Sequence, residues 1–431
     1  MDNKGIEIGL MGLGTVGSGV ATTLHEKAEH IASQAGCPLN IRRILMRHDG
    51  RTRPVPAFER HLSTNADDIL SDPEIDIVVE VMGGEEPAFQ YVRQALSSGK
   101  HVVTANKEVI AKHIAELIPL AQERGVELLF EASVGGGIPL IAPFKRDMVV
   151  NDISAINAII NGTTNYILTR MANEGLDFSA ALRQAQELGY AELDPTNDVE
   201  GLDATYKLAI LATLAFHSPV HPDDIYREGI SRLAARDFRY AKELGYTIKL
   251  LAIARQENRC IQVRVHPAFV PQDTILAKVD GVFNAVQVEG DLVGKVLFYG
   301  RGAGSLPTTS AVIADVISIA QRINRGVSFE PSIVVAPKKT VEAMSNIEIP
   351  YYMRMNVADR SGVLAKIAKT LGDHDISIAS VIQKESDEQT QTAEIVIMTH
   401  PAREAAVQRA LQKVEALSVV KEIGNLIRVE V

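Results

Sequence analysis

Six residues near the start of the chain, Gly12-Leu13-Gly14-Thr15-Val16-Gly17, restrict its fold more than any other stretch. An apolar run, Ile6-Glu7-Ile8-Gly9-Leu10-Met11, precedes them, and a helical pattern through Ala21 and Leu24 follows. A buried strand turning directly into a helix over G-x-G-x-x-G is the phosphate-binding turn of a parallel α/β sheet. Its glycines permit the tight bend and bring the main chain close to a pyrophosphate, whose charge the first helical amides meet. Gly12, Leu13, Gly14, Thr15, Val16 and Gly17 are therefore candidate dinucleotide contacts.

The strand–helix rhythm continues. Residues 40–46 predict a second strand and 76–81 a third, the latter ending in Met82-Gly83-Gly84 before a helix over 87–97. Residues 101–103 predict a fourth strand, ending in Thr104-Ala105-Asn106-Lys107. After a helix over 108–124, a strand over 126–130 leads into Glu131-Ala132-Ser133-Val134-Gly135-Gly136-Gly137. Strands alternating with helices imply a parallel sheet whose ligands lie at the carboxyl ends of the strands, where Thr104, Lys107 and Glu131 sit. The second strand ends in Met46-Arg47-His48. A ribose hydroxyl usually meets an acid here and a 2′-phosphate an arginine, so Arg47 inclines the expectation to NADP, with NAD also admissible. The plain alternative is a solvated loop arginine.

The stretch 185–207, AQELGYAELDPTNDVEGLDATYK, is of a different kind. A helix ends at Gly189, a polar loop carries Glu192, Asp194 and Asp198, and a new helix brings Asp203 and Lys207. Those two lie one turn apart and share a face. An acidic loop with one lysine aimed into it suits a small zwitterion; on spacing alone, a solvated helix start with a surface ion pair fits as well. Around it, 153–161 predicts a strand, Gly162-Thr163-Thr164-Asn165 a turn capping the next helix, and 178–188 and 204–216 helices. Strands over 260–265, 280–289 and 294–299 then predict a mixed α+β sheet covered on one side, a usual place for contact between subunits. A glycine cluster from Gly300 to Gly304 precedes a helix over 308–323.

At 431 residues the chain needs about three domains. No apolar run approaches the roughly 18 residues of a membrane span, and MDNKGIEIGL lacks a signal-peptide profile, so a cytoplasmic protein without a membrane partner is expected. Cys37 and Cys260 offer no disulfide framework or cysteine metal site. A net charge of −10 argues against a nucleic-acid partner. Residues 337–350 are polar and bounded by prolines, which reads as a linker. Beyond them the order is β-α-β-β-α-β, a ferredoxin-like unit: strands over 351–357, 377–385, 393–399 and 419–431, with helices ending near 374 and spanning 402–417.

In their order and spacing, Gly12 to Gly17, Thr104-Ala105-Asn106-Lys107, Asn161-Gly162-Thr163-Thr164-Asn165 and the 185–207 stretch resemble homoserine dehydrogenase over roughly residues 6–326. The resemblance implies NAD(P)H-dependent, reversible reduction of L-aspartate 4-semialdehyde to L-homoserine, a step towards threonine, methionine and isoleucine. It implies Lys207 as proton donor and Lys107 as a second catalytic lysine. Asp203 is implied in both catalysis and substrate binding, and Glu192 and Asp198 as further substrate ligands. Thr104, Lys107, Gly189 and Gly304 are implied as cofactor contacts. It also implies a monovalent cation, Na⁺ or K⁺, on Glu131, Val134, Gly136 and Ile138, where a plain tight turn is the alternative. Asp359-Arg360-Ser361-Gly362-Val363-Leu364 with Asp375-Ile376-Ser377-Ile378 resembles an ACT domain, which implies L-threonine as an allosteric effector, or else a unit that only builds the oligomer.

The expected organisation is a Rossmann-type NAD(P)-binding domain over 1–145 with a return helix over 305–326, and a catalytic and dimerisation domain over 146–304. A linker over 327–349 and an ACT domain over 350–431 complete it, in a homo-oligomer, dimer or tetramer. A hydroxyacid dehydrogenase with an ACT tail would need a histidine–carboxylate pair, which His217 and His221 do not offer. A catalytically silent sensor should have lost Lys207 or the glycines, and both are present.

Overall fold

The computed structural model describes residues 5–46, 56–257, 260–327, 338–387 and 389–430. The chain forms two compact units. One comprises Met1–Ala155, Tyr206–Ile225 and Asn284–Lys339, the other Ile156–Thr205, Tyr226–Phe283 and Thr340–Val431.

The first unit holds a six-stranded sheet in the order Leu62–Ser63, Leu39–Leu45, Ile6–Met11, Ile77–Glu80, His101–Thr104, Leu128–Leu129. Every pairing is parallel. Ile77–Glu80 and His101–Thr104 are buried at every position, as strands covered on both faces must be. Helices Thr15–Glu26, Ala88–Ser97 and Lys107–Arg124 are the crossovers expected from the sequence. The last predicted strand of the series shortens to Leu128–Leu129, because Phe130 leaves the extended region and Glu131–Ser133 wind into a 3₁₀ turn.

The helix Ser305–Arg325 returns to this sheet from far along the chain. Val312, Val316, Ile319 and Ala320 enter the same apolar core as Ile8, Leu10, Val20 and Leu24. The Ser305 hydroxyl donates to the Thr15 carbonyl at 3.0 Å. The helix begins three residues before the expected 308, with Pro307 in its first turn, where no intrahelical N–H bond is lost.

In the second unit the strands run Tyr246–Glu257, Cys260–Pro271, Val420–Val429, Tyr351–Ala358, Thr392–Thr399, Ile378–Asp387. Helices Val363–Gly372 and Glu404–Glu415 close the ferredoxin-like core. Its C-terminal strand pairs in parallel with Cys260–Pro271, Ala268 opposite Arg428. Buried ion pairs tie the same junction, Arg264 Nη2 donating to Glu430 at 2.6 Å and Arg354 Nε to Asp237 at 2.7 Å, while inside the ferredoxin-like core Arg428 Nη2 donates to Glu404 at 2.7 Å. Removing one partner of such a pair costs about 3–5 kcal/mol. Within the predicted linker, Thr340–Val341 pairs with Cys260 and Ile261, and Glu348–Ile349 with Ala402 and Arg403, so its described part is stitched to its neighbours. Residues 328–337 lie outside the described residues.

One buried group of the first unit makes stability pH-dependent. His101 is buried, and its Nδ1 accepts the Glu127 N–H at 3.0 Å. Burial, with the Arg322 guanidinium adding to it, lowers its pKa from 6.5 to about 4. As pH falls through 6.5 the unfolded chain takes up the proton first, so this contribution is complete above 6.5 and is lost towards 4. We expect the stability gap between the parent and His101→Gln to narrow by on the order of 2 kcal/mol from pH 7 to pH 4.5 in urea melts. A gap independent of pH would contradict this.

Candidate active site

The three motif glycines do different work. Gly12 has φ 104°, and a Cβ there would lie 2.9 Å from the Val81 carbonyl oxygen. A Cβ on Gly17 would overlap the Gly12 carbonyl. The fold itself requires both. Gly14 has an ordinary φ of −79° and would place a Cβ within 4 Å of nothing. It is also the N-cap of Thr15–Glu26, with no side chain satisfying the first amides. Helix N-terminal donors facing open space beneath a position kept free of side-chain bulk form an anion cradle.

That space is a cavity of about 360 Å³ lined wholly by the first unit. Gly14, Thr15 and Val16 form one wall, and Met82 and Gly83 a second strand end. Asn106 and Lys107, Gly135 and Gly136, Gly302 and Ala303 complete it, together with Lys207. Lys107 is the first residue of its helix because Asn106 caps it, Oδ1 accepting from the Glu108 and Val109 amides at 3.2 Å. Lys207 is 8% exposed on the helix Leu202–Phe216. Of the remaining expected cofactor contacts, Gly12, Leu13 and Gly17 shape the turn from behind. Thr104 is buried with its hydroxyl donating to Glu80, and Gly304 caps the return helix beside Gly302 and Ala303. Arg47 lies outside the described residues.

The acidic loop belongs to the second unit up to Thr205. Asn161 Nδ2 donates to Asp198 Oδ1 at 2.6 Å and to Asp203 Oδ2 at 2.8 Å, so one amide gathers two carboxylates. Its Oδ1 accepts the Thr164 amide at 2.8 Å. Gly162-Thr163-Thr164-Asn165 is thus the first turn of the helix Gly162–Glu174, capped by Asn161, and not a turn ahead of it. The sequence reading missed Asn161 as a site residue; the available signal was an Asn at N-cap spacing before Thr164. Asp203 is 4% exposed, while Gly189 and Glu192 stand exposed on the loop. Asp194 binds the Thr196 amide and hydroxyl, a local turn cap.

Glu131 is committed locally. Its Oε1 accepts the Leu140 and Ile141 amides at 2.6 and 2.8 Å, its Oε2 the Ala142 amide at 2.7 Å. Its own N–H donates to Asp315 at 2.9 Å. A carboxylate filled by three amides fits a cation poorly. The expected cation therefore does not find a free carboxylate at Glu131. Among the described residues no group of three or more His, Cys, Asp and Glu is placed to hold a metal.

A parallel sheet with an open glycine at a helix N-terminus, and lysines at the facing strand end and helix, defines an NAD(P)-dependent oxidoreductase. Comparison with known proteins narrows the class. Residues 12–131 match the NAD-binding domain of homoserine dehydrogenase, 139–317 the homoserine dehydrogenase family proper, and 351–419 the ACT domain. Homoserine dehydrogenase of Neisseria gonorrhoeae is 42% identical over 99% of both chains. The crystal structure of a homoserine dehydrogenase from Thiobacillus denitrificans matches with TM-score 0.90 at 43% identity, covering 99% of this chain and 98% of that one. A hyperthermophilic archaeal homoserine dehydrogenase mutant in complex with NADPH matches with TM-score 0.63 at 28% identity, covering 74% of this chain and 98% of its own. The chain belongs to the homoserine dehydrogenase family. The expected fold class, a Rossmann-type sheet, a mixed-sheet catalytic region and a C-terminal ACT domain, is borne out.

Proposed function

We propose that the chain interconverts L-aspartate 4-semialdehyde and L-homoserine with NADP, and less readily NAD, in the biosynthesis of threonine, methionine and isoleucine in the cytoplasm. The observation that carries the reading is a single cavity lined by both the glycine turn and the two lysines. When bound, the cofactor supplies or accepts hydride. The chain's own residues manage charge and orientation. An aldehyde carbon that gains hydride leaves an alkoxide, to which Lys207 Nζ donates a proton; Lys107 stabilises the same developing charge. Asp203 stands one helical turn before Lys207 on a shared face. With Asp198, held beside it by Asn161, and Glu192, it binds the substrate's α-ammonium. Gly189 and Gly304 border the cofactor in this reading, and Thr104 shapes its cradle from behind. Absorbance at the nicotinamide band with homoserine tests the proposal: turnover with NADP supports it, and silence with both nucleotides refutes it.

Asp203→Asn keeps the shape and removes the charge. We expect KM for homoserine to rise about tenfold or more, from the loss of one charge-assisted hydrogen bond. Normal steady-state kinetics would reduce Asp203 to a structural acid. The NADP preference rests on Arg47, and its support is the relative crystallised with NADPH. Arg47→Glu should move the ratio of kcat/KM for NADP over NAD towards NAD by at least about tenfold. An unmoved ratio would overturn the preference.

A Na⁺ or K⁺ ion would be bound by main-chain oxygens of Glu131, Val134, Gly136 and Ile138, where it would brace the cavity wall at Gly135 and Gly136. Threonine would act through the ACT domain. Cutting the chain near Ser345 would remove Val420–Val429 from its partner strand and leave Arg264 without Glu430, so the intact chain is the proper subject. Inhibition by threonine supports sensing, and rates unaffected by it refute sensing. Exposed apolar side chains of the first unit, Val149, Val150, Leu292 and Tyr299, support assembly as a dimer or tetramer.

A further inference from the structure

Glu80 ends the strand Ile77–Glu80 with no solvent exposure, and the proposed chemistry makes no use of it. A carboxylate in an apolar sheet is costly unless every lone pair is engaged. Burial pushes the Glu80 carboxyl above its ordinary range, against hydrogen bonds that favour the ionised form. Those bonds come from the loop after this strand and from the end of its neighbour, His101–Thr104, with the loop that follows it. Oε1 accepts the Met82 amide at 2.7 Å and, more weakly, Asn106 Nδ2 at 3.5 Å. Oε2 accepts the Thr104 hydroxyl at 2.6 Å. The Thr104 oxygen in turn accepts the Asn106 amide at 2.9 Å, and Asn106 Nδ2 donates to the Gly84 carbonyl at 2.7 Å.

One carboxylate thus ties the loop after one strand to the loop after its neighbour. Asn106, at the centre of the tie, also caps the helix on which Lys107 is the first residue. Met82, Gly83, Asn106 and Lys107 all line the cavity. The direction of a first-turn side chain follows the cap that fixes the helix entry. We propose that Glu80 is a positioning residue: through Thr104 and Asn106 it sets where Lys107 projects into the nucleotide cavity. The proposal rests on the role of Lys107 given above.

A double-mutant cycle tests it. Glu80→Gln keeps the volume, but with its oxygen on the Met82 amide its NH₂ faces the Thr104 hydroxyl, which must reverse to accept and is left with an unpaired proton in the core, so the tie is weakened. Displacement of a reacting group by about 1 Å costs on the order of 100-fold. In the intact chain Glu80→Gln should therefore lower kcat for homoserine oxidation by about 10- to 100-fold. The Kd for NADPH, read from its own fluorescence, should change by less than about threefold, since the glycine cradle is untouched. In a Lys107→Ala background the same substitution should cost less than about twofold. An equal cost in both backgrounds, or unchanged kcat in the parent, overturns the proposal. If Glu80→Gln does not fold, Thr104→Val cuts the tie at its hydroxyl and should show the same loss of kcat in the parent and the same small cost beside Lys107→Ala; additivity with Lys107→Ala overturns it equally. If the parent itself fails to oxidise homoserine, the functional reading is what fails. Amide hydrogen exchange at 106–109 then decides about Glu80: faster exchange in Glu80→Gln upholds the tie, and unchanged protection removes it.

Discussion

Lys207→Ala is expected to lower kcat for homoserine oxidation by about a thousandfold while NADPH binds almost as before. The size follows from asking one lysine to take the hydroxyl proton in this direction, the reverse of the proton it gives when the aldehyde is reduced, a general acid–base role worth about 10²–10⁴. The sparing of the cofactor follows from position. Lys207 lies at the same cavity as the glycine turn, but the anion cradle is built from main-chain amides at Gly14 to Val16. Folding should be kept, because the helix is anchored by Leu208, Ala209, Ile210, Leu211 and Ala212, all fully buried. Steady-state rates with a parallel NADPH fluorescence titration check both halves. A rate within threefold of the parent would take Lys207 out of the chemistry.

Gly14→Val should have the opposite signature: nucleotide binding weakened by at least about 100-fold, with little change in stability. The backbone at Gly14 already has φ −79°, which valine adopts without strain, and a Cβ there meets no atom of the protein. Replacing an N-cap glycine costs about 1 kcal/mol or less. The new methyl groups would occupy the space the pyrophosphate needs. Gly17→Ala makes the contrast, because its Cβ would overlap the Gly12 carbonyl and disturb the turn itself. Thermal melts with NADPH titrations separate the cases. A Gly14→Val protein that binds NADPH normally would show that the cavity is not the pyrophosphate site.

Most of the sheet in the first 137 residues was readable because its central strands are largely apolar and followed by turn residues, so the period changes at each strand end, whereas the edge strand Leu62–Ser63 and the helices Ala28–Ala35 and Asp67–Leu70 went unassigned. Lys107 and Glu131 could be placed at strand ends on that ground alone. The role of the Glu131 side chain could not, since its acceptor work depends on the Leu140, Ile141 and Ala142 amides converging on it. Asp203 and Lys207 were readable from helical spacing, whereas the pairing of Asp198 with Asp203 depends on Asn161, 37 and 42 residues earlier. The helix Ala235–Glu243 and the strand Tyr246–Glu257 went unassigned. That strand carries a charged residue, Lys249, which is 2% exposed and donates to the Val279 carbonyl at 2.6 Å. Charges of this kind look like solvent positions until their distant partners are known, and Arg264 with Glu430, 166 residues apart, is the same case. The polar segment before Tyr351 resembled a linker for a related reason: its short strands gain their partners only from Cys260–Pro271 and Ala402–Arg403.

The central claim is that Lys207 meets the substrate beside a nucleotide seated on the Gly14 turn. A crystal structure of the chain with NADPH and homoserine tests it most directly. The expected result places the pyrophosphate on the amides at Gly14 to Val16 and Lys207 Nζ within about 3 Å of the substrate hydroxyl. A nucleotide bound elsewhere, or Lys207 turned into bulk water away from the nicotinamide, would contradict it.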